Sequence, residues 1–124
     1  MFFRRLMTLQ QKQSIFAQNM ARLINHVDAI GLSCTIGEVM RTPEQAEIYA
    51  KEGKGIKDSL HCKKLAVDLF LFNSNGKYLT EFKQYEPLGQ YWESLDPKNR
   101  WGGYFKSKYG GKIVDSVHFE MRDI

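Results

Sequence analysis

The chain holds three histidines, two cysteines and 14 acidic residues, and a few of these have the types and spacing to bind a metal ion. His61 precedes Asp68 by seven positions, and His118 follows far along the chain in Asp115-Ser116-Val117-His118-Phe119-Glu120. Two neutral imidazoles and one carboxylate make a usual catalytic zinc set, with a fourth position left open for water. Their single negative charge leaves a divalent ion net positive and able to acidify water. Among common divalent metals, zinc suits this donor set best. Seven fully extended residues would span about 23 Å, so the chain must turn between His61 and Asp68 if both are to touch one ion. Asp68 is the one acid in an otherwise apolar run, Leu65 to Phe72. A salt bridge to lysine or arginine is the competing fate for such an acid. Asp115 and Glu120 are rival general bases. On an unbroken strand Glu120 would share a face with His118 and Asp115 would not, so Asp115 can serve only from an irregular approach to the strand.

These residues need a scaffold. Leu9, Phe16, Met20, Leu23, Ile24, Val27 and Ile30 follow helical spacing, Thr8 with Gln11 forms a capping box, and Gly31 is a stop, which predicts a helix over 8–30. Residues 33–40 read as a strand on which Cys34, Ile36 and Met40 share parity. Thr42-Pro43-Glu44-Gln45 starts a short helix that ends at Gly53. Residues 53–62 read as an exposed loop, 65–72 as a strand buried on both faces, and Asn73-Ser74-Asn75-Gly76 as a turn. A helix over 84–95, a loop over 100–112 and a final strand over 113–121 complete the chain. Helices and strands alternate without a βαβ rhythm, so the fold class is α+β, with a small mixed or antiparallel sheet and helices packed on one side.

With 124 residues, 43% of them hydrophobic and 26% charged, the chain reads as one domain, residues 1–124, able to bury a core without staples. Intrinsic disorder, a disulfide framework and a four-cysteine zinc site are excluded by composition. The net charge of +4 and pI of about 9.1 favour anionic partners without choosing among them. Met1-Phe2-Phe3-Arg4-Arg5-Leu6 is followed by no apolar stretch of secretory length, so the protein is expected in the cytoplasm, with Cys34 and Cys62 as free thiols.

Ser59-Leu60-His61-Cys62-Lys63-Lys64-Leu65-Ala66-Val67-Asp68 resembles the Ser-x-His-x-x-Gly-x-Ala-x-Asp motif of the zinc D-alanyl-D-alanine carboxypeptidases and L-alanyl-D-glutamate endopeptidases. Trp101-Gly102-Gly103 followed by Asp115-Ser116-Val117-His118-Phe119-Glu120 is similar to the closing motif of the phage endolysin branch. Arg41-Thr42-Pro43-Glu44-Gln45 resembles that family's upstream Arg and Gln segment. The resemblance spans residues 38–121 in family order. It implies a hedgehog/DD-peptidase fold with one zinc site, Zn2+ held by His61, Asp68 and His118, and Asp115 as general base. It implies that Arg41 grips a substrate carbonyl or carboxylate, with Ser59, Gln45 and Trp101 near the substrate. One departure is Lys64, where the family has glycine; Ala66 matches.

The activity so implied is hydrolysis of peptidoglycan stem peptides at the L-Ala–D-Glu bond, in phage-type lysis of the host cell. The alternatives are a D-Ala–D-Ala carboxypeptidase or dipeptidase, and a non-catalytic zinc module of the same fold. The implied partner is bacterial peptidoglycan, met by a monomer that leaves the producing cell's cytoplasm through a membrane-permeabilising partner. No nucleic-acid partner and no stable membrane association are expected, since no helix carries a clustered basic face. His26, Cys34 and Cys62 read as structural. Gly53-Lys54-Gly55-Ile56-Lys57 lacks a phosphate-loop frame and reads as a flexible rim. Trp92, Tyr104, Phe105 and Tyr109 read as core, and Lys106, Lys108 and Lys112 as a positive face.

Overall fold

The computed structural model describes residues 6–53 and 59–124. The N-terminal stretch at 1–5 and most of the glycine-lysine rim loop, 54–58, lie outside the described residues. The first helix, α1, spans Leu9–Ala29 and opens with the expected box: Thr8 Oγ1 accepts from Gln11 N, and Gln11 Oε1 accepts from Thr8 N. It buries Phe16, Leu23 and Val27 along one stripe. Strand β1, Ser33–Ile36, leads to α2, Pro43–Lys51, whose first turn is capped by Thr42. A 3-10 turn at Leu60–Lys63 precedes β2, Ala66–Phe72. Helix α3, Phe82–Leu95, is followed by β3, Asn99–Trp101, a 3-10 turn at Gly102–Tyr104, and β4, His118–Met121. No helix of the described residues is long and apolar enough to cross a membrane.

The four strands form one antiparallel sheet in the order β1-β2-β4-β3. Side chains of alternate residues on a strand point to opposite faces. On β2, Val67, Leu69 and Leu71 enter the core with Phe119 and Met121 of β4 and Trp101 of β3, where α1 and α3 cover them. Buried polar atoms of α3 are satisfied by the sheet and its flanks. Trp92 Nε1 donates to Glu120 O at 2.9 Å, Leu71 N donates to the Tyr85 hydroxyl at 3.1 Å, and that hydroxyl donates to Leu79 O at 2.8 Å. The opposite parity sets Asp68, His118, Glu120 and Arg100 on the other face.

The loop expected to be exposed over 53–62 buries Ser59 and His61, the latter in a 3-10 turn, and four expectations about strands need correction. The strand expected over 33–40 ends at Ile36, and Ile36 and Met40 are exposed. The chain stays beside β2, but Gly37 N donates to Asp68 O while Asp68 N donates to Glu38 O. Two residues thus oppose one, the arrangement of a β-bulge. The strand expected over 113–121 begins only at His118, because residues 115–118 form a turn closed by His118 N donating to Asp115 O. The loop expected over 100–112 contains most of β3, a strand too short to leave a periodic signal. Finally, β2 is fully buried on one face only: beyond Ala66 the other face, Asp68, Phe70 and Phe72, is half-buried.

Candidate metal centre

Cross-strand register brings two candidate ligands together. Asp68 lies opposite His118. The ladder bonds fall on the odd positions, Leu69 N to Val117 O and Met121 N to Leu65 O. Asp68 and His118 are therefore a non-hydrogen-bonded pair, the kind whose side chains sit closer. The His118 Nδ1 to Asp68 Oδ1 distance is 3.4 Å.

The third residue arrives by local geometry. Ser59 caps the 3-10 turn, its Oγ accepting from His61 N at 3.2 Å. The turn ends at Lys64, where φ is 54° and ψ is 39°. This is the left-handed conformation, and Lys64 is the one non-glycine residue with positive φ among the described residues. The helical turn and the left-handed step shorten the path so that His61 Nε2 reaches 3.5 Å from Asp68 Oδ1. Gln13 Nε2 donates to Lys63 O, and Asp123 pairs with both Lys12 and Lys63, fastening the turn to α1.

One ligand atom from each of His61, Asp68 and His118 lies within 4.8 Å of the others. His61 and His118 are buried, with rings 5.0 Å apart at 78°. Asp68 Oδ1 is buried without a hydrogen-bond partner among the described residues. An unpartnered carboxylate oxygen facing two imidazole nitrogens fits a zinc ion by both geometry and donor type. Burial pushes the Asp68 carboxyl up, but the His118 and His61 rings more than offset it and hold it well below its usual range. Burial alone would lower His118. Asp68 and then Glu120 outweigh this, and its pKa rises to about 9.

Glu120 backs His118. Its Oε1 is 2.8 Å from His118 Nε2, and its Oε2 accepts from Arg100 Nε and Nη2 at 3.0 and 2.6 Å. A carboxylate on the far nitrogen of a metal-binding histidine fixes the ring and its tautomer. Asp115 differs. It is drawn onto the site by the turn 115–118, and its carboxyl feels the charges of His118, Asp68, His61 and Arg41. Burial raises its pKa. Gly102 makes the turn possible: a Cβ there would stand 2.1 Å from Asp115 O and 2.9 Å from His118 Cβ.

The other expected site residues are placed unequally. Arg41 is close: its amide donates to His61 O at 3.1 Å, its Nε donates to Glu38 Oε1, and its guanidinium lies 4.9 Å from the Tyr49 ring centre. Ser59 is buried and serves as the cap of the His61 turn. Gln45 is half-buried in the first turn of α2. Trp101, expected to touch substrate, is fully buried. Its Nε1 donates to Ser116 O at 2.7 Å, so it holds the Asp115 turn from the core side. Phe105 is an aromatic beside the candidate ligands, 5.3 Å from the His118 ring. Glu38 and Arg100 carry no motif signal in the sequence. Only the register of β3 with β4 and the bulge in the β1 edge bring them in, and neither leaves a periodic trace.

The chain shares the fold of solved hedgehog/DD-peptidase structures, in agreement with the fold expected from the motifs. No protein-family model and no curated protein matches the sequence. Solved structures do. The Serratia marcescens L-Ala D-Glu endopeptidase ChiX superposes with a TM-score of 0.66 at 17% identity, over 97% of this chain and 90% of that one. A variant of the vancomycin-resistance D,D-pentapeptidase VanY in complex with Zn(II) gives 0.58 at 16% identity, over 86% and 70%. The LdcB LD-carboxypeptidase gives 0.57 at 18% identity, over 87% and 64%.

Proposed function

We propose that the chain is a zinc-dependent peptidase of peptidoglycan stem peptides that cuts the L-Ala–D-Glu bond. The observation that carries this is the His61, Asp68 and His118 cluster, with Asp115 and Arg41 beside it, on a fold shared with enzymes of that class. His61 Nε2, Asp68 Oδ1 and His118 Nδ1 would hold the ion. When bound, zinc supplies Lewis-acid polarisation of the scissile carbonyl and acidifies water. The chain's own residues do the rest. Asp115 takes a proton from the attacking water and returns it to the leaving amine. Arg41 binds a substrate carboxylate or the developing oxyanion. Glu120, clamped by Arg100, keeps the His118 ring in place.

The choice of bond follows the fuller superposition on the L-Ala D-Glu endopeptidase than on the D,D-pentapeptidase. The biological setting proposed is phage-type lysis. The enzyme acts as a monomer, is made in the bacterial cytoplasm, and reaches the wall once a permeabilising partner opens the membrane. Digestion of purified muropeptides followed by mass spectrometry tests the bond. Fragments ending at L-Ala, with D-Glu newly N-terminal, are expected. Release of free terminal D-alanine would instead make it a carboxypeptidase.

A further inference from the structure

The two histidines are backed unequally. His118 has Glu120 at hydrogen-bond distance, whereas His61 Nδ1 is buried with no hydrogen-bond partner among the described residues. Its nearest carboxylate oxygen is Glu38 Oε1, 3.9 Å away. That same oxygen accepts the Arg41 Nε hydrogen. A neutral imidazole that offers Nε2 to a metal carries its proton on Nδ1, so the carboxylate oxygen within 4 Å of that N–H is one already engaged by Arg41.

The bulge explains why Glu38 is there at all. In a regular ladder, continuing from Ile36 opposite Leu69, Glu38 would face Val67 and share its direction into the core. With Gly37 and Glu38 both opposite Asp68, the glutamate turns to the site face. Gly37 allows the close pass, since a Cβ there would lie 2.5 Å from the Phe70 ring and 3.2 Å from Asp68 Cβ. The segment is bonded to both ligand residues, through Glu38 O to Asp68 N and Arg41 N to His61 O.

We propose that Glu38 is a positioning residue for His61, and that Arg41 governs its hold by competing for the same carboxylate oxygen. This rests on the zinc-peptidase reading. When a substrate carboxylate engages Arg41, Glu38 is released. A movement of about 1 Å then brings it within hydrogen-bond range of His61 Nδ1. Anion binding at Arg41 and zinc binding at His61 thereby strengthen each other, as linkage requires.

The test is zinc affinity of the full chain, read by competition with a chromophoric chelator. With acetate added to occupy Arg41, Glu38→Ala should weaken zinc about 10-fold or more, and Glu38→Gln, which keeps an acceptor, should recover part of the loss. Arg41→Gln should tighten zinc severalfold, and should do nothing when added to Glu38→Ala. The opposite signs separate positioning from a shared structural role. Wild-type affinity in Glu38→Ala, or Arg41→Gln weakening zinc as Glu38→Ala does, would overturn the proposal. If Glu38→Ala does not fold, NMR of the zinc-loaded wild type decides. A His61 Nδ1–H whose exchange slows when acetate is added supports it, and one whose exchange acetate leaves unchanged overturns it. A wild type that takes up no zinc would remove the functional reading as well. A wild type that binds zinc and cuts sacculi, with Glu38→Ala binding equally, removes only the role of Glu38.

Discussion

Asp115 and Glu120 flank the same histidine, and their surroundings prepare them for different work. Burial raises the Asp115 pKa toward the range useful to a base at neutral pH. Burial also pushes Glu120 up, but His118 and then Arg100 outweigh this and lower it, so Glu120 stays ionised and committed to orientation. Asp115→Asn should therefore reduce kcat by about 10²–10⁴-fold with zinc affinity intact. Glu120→Gln should weaken zinc about 10–100-fold. Steady-state kinetics beside zinc titration checks both, and a dead Glu120→Gln that keeps its zinc, with an active Asp115→Asn, would exchange their roles. His118 supplies a pH prediction. Its pKa in the metal-free fold rises from 6.5 to about 9. A raised pKa stabilises the metal-free fold fully below about 6.5, and this contribution is lost as pH climbs through about 9. Zinc must displace that proton, so apparent zinc affinity should rise about tenfold per pH unit across the window. Isotherms at several pH values check this, and a flat affinity would contradict it. The three candidate ligands are legible because their spacing sits in motifs. Glu38 and Arg100 are not, because what matters about them is which strand they face.

At the scale of elements, the 3-10 turn ending at Lys64 is the least comfortable piece of backbone. A lysine in the left-handed region costs about 1–2 kcal/mol, and replacing it with glycine adds back unfolded-state entropy of about 0.4–1 kcal/mol. Lys64→Gly should therefore stabilise the fold by roughly 0.5–1 kcal/mol, seen as a higher urea midpoint with an unchanged slope. A lower midpoint would show that the lysine side chain contributes more than its backbone costs. Gly102 is the reverse case. Gly102→Ala would drive a Cβ into Asp115 O and should destabilise by about 1–3 kcal/mol while weakening zinc. Urea unfolding and zinc titration of that variant check the claim. Helices were the most readable elements, since Thr8 and Thr42 announce their own caps. Helix α3 starts two residues before the expected 84, because Glu81 N donates to Gln84 Oε1 and draws the first turn back. Short strands were the least readable. A three-residue β3 within a segment rich in glycine and aromatics has no period, and Ile113 and Val114 look like strand residues yet lie exposed before the turn.

Over the whole molecule, the division of labour is between two faces of one sheet. One face is sealed by α1 and α3, and the ladder of β2 with β4 sets Asp68 opposite His118. The other holds the candidate site, with Asp68 and His118 from β2 and β4, His61 from the 3-10 turn, Asp115 from the turn before β4, and Arg41 from the segment after the bulge. The net charge of +4, uninformative alone, suits a polyanionic wall, and binding to sacculi should weaken as salt screens it. The central claim is that these residues make one zinc centre that hydrolyses peptidoglycan. The most direct measurement is turbidity clearing of purified sacculi by the full chain, with chelator and then with zinc restored. The account predicts clearing that stops on chelation, returns with zinc, and is absent in His61→Ala and His118→Ala, since no other histidine can substitute. Clearing that continues unchanged in chelator would contradict it.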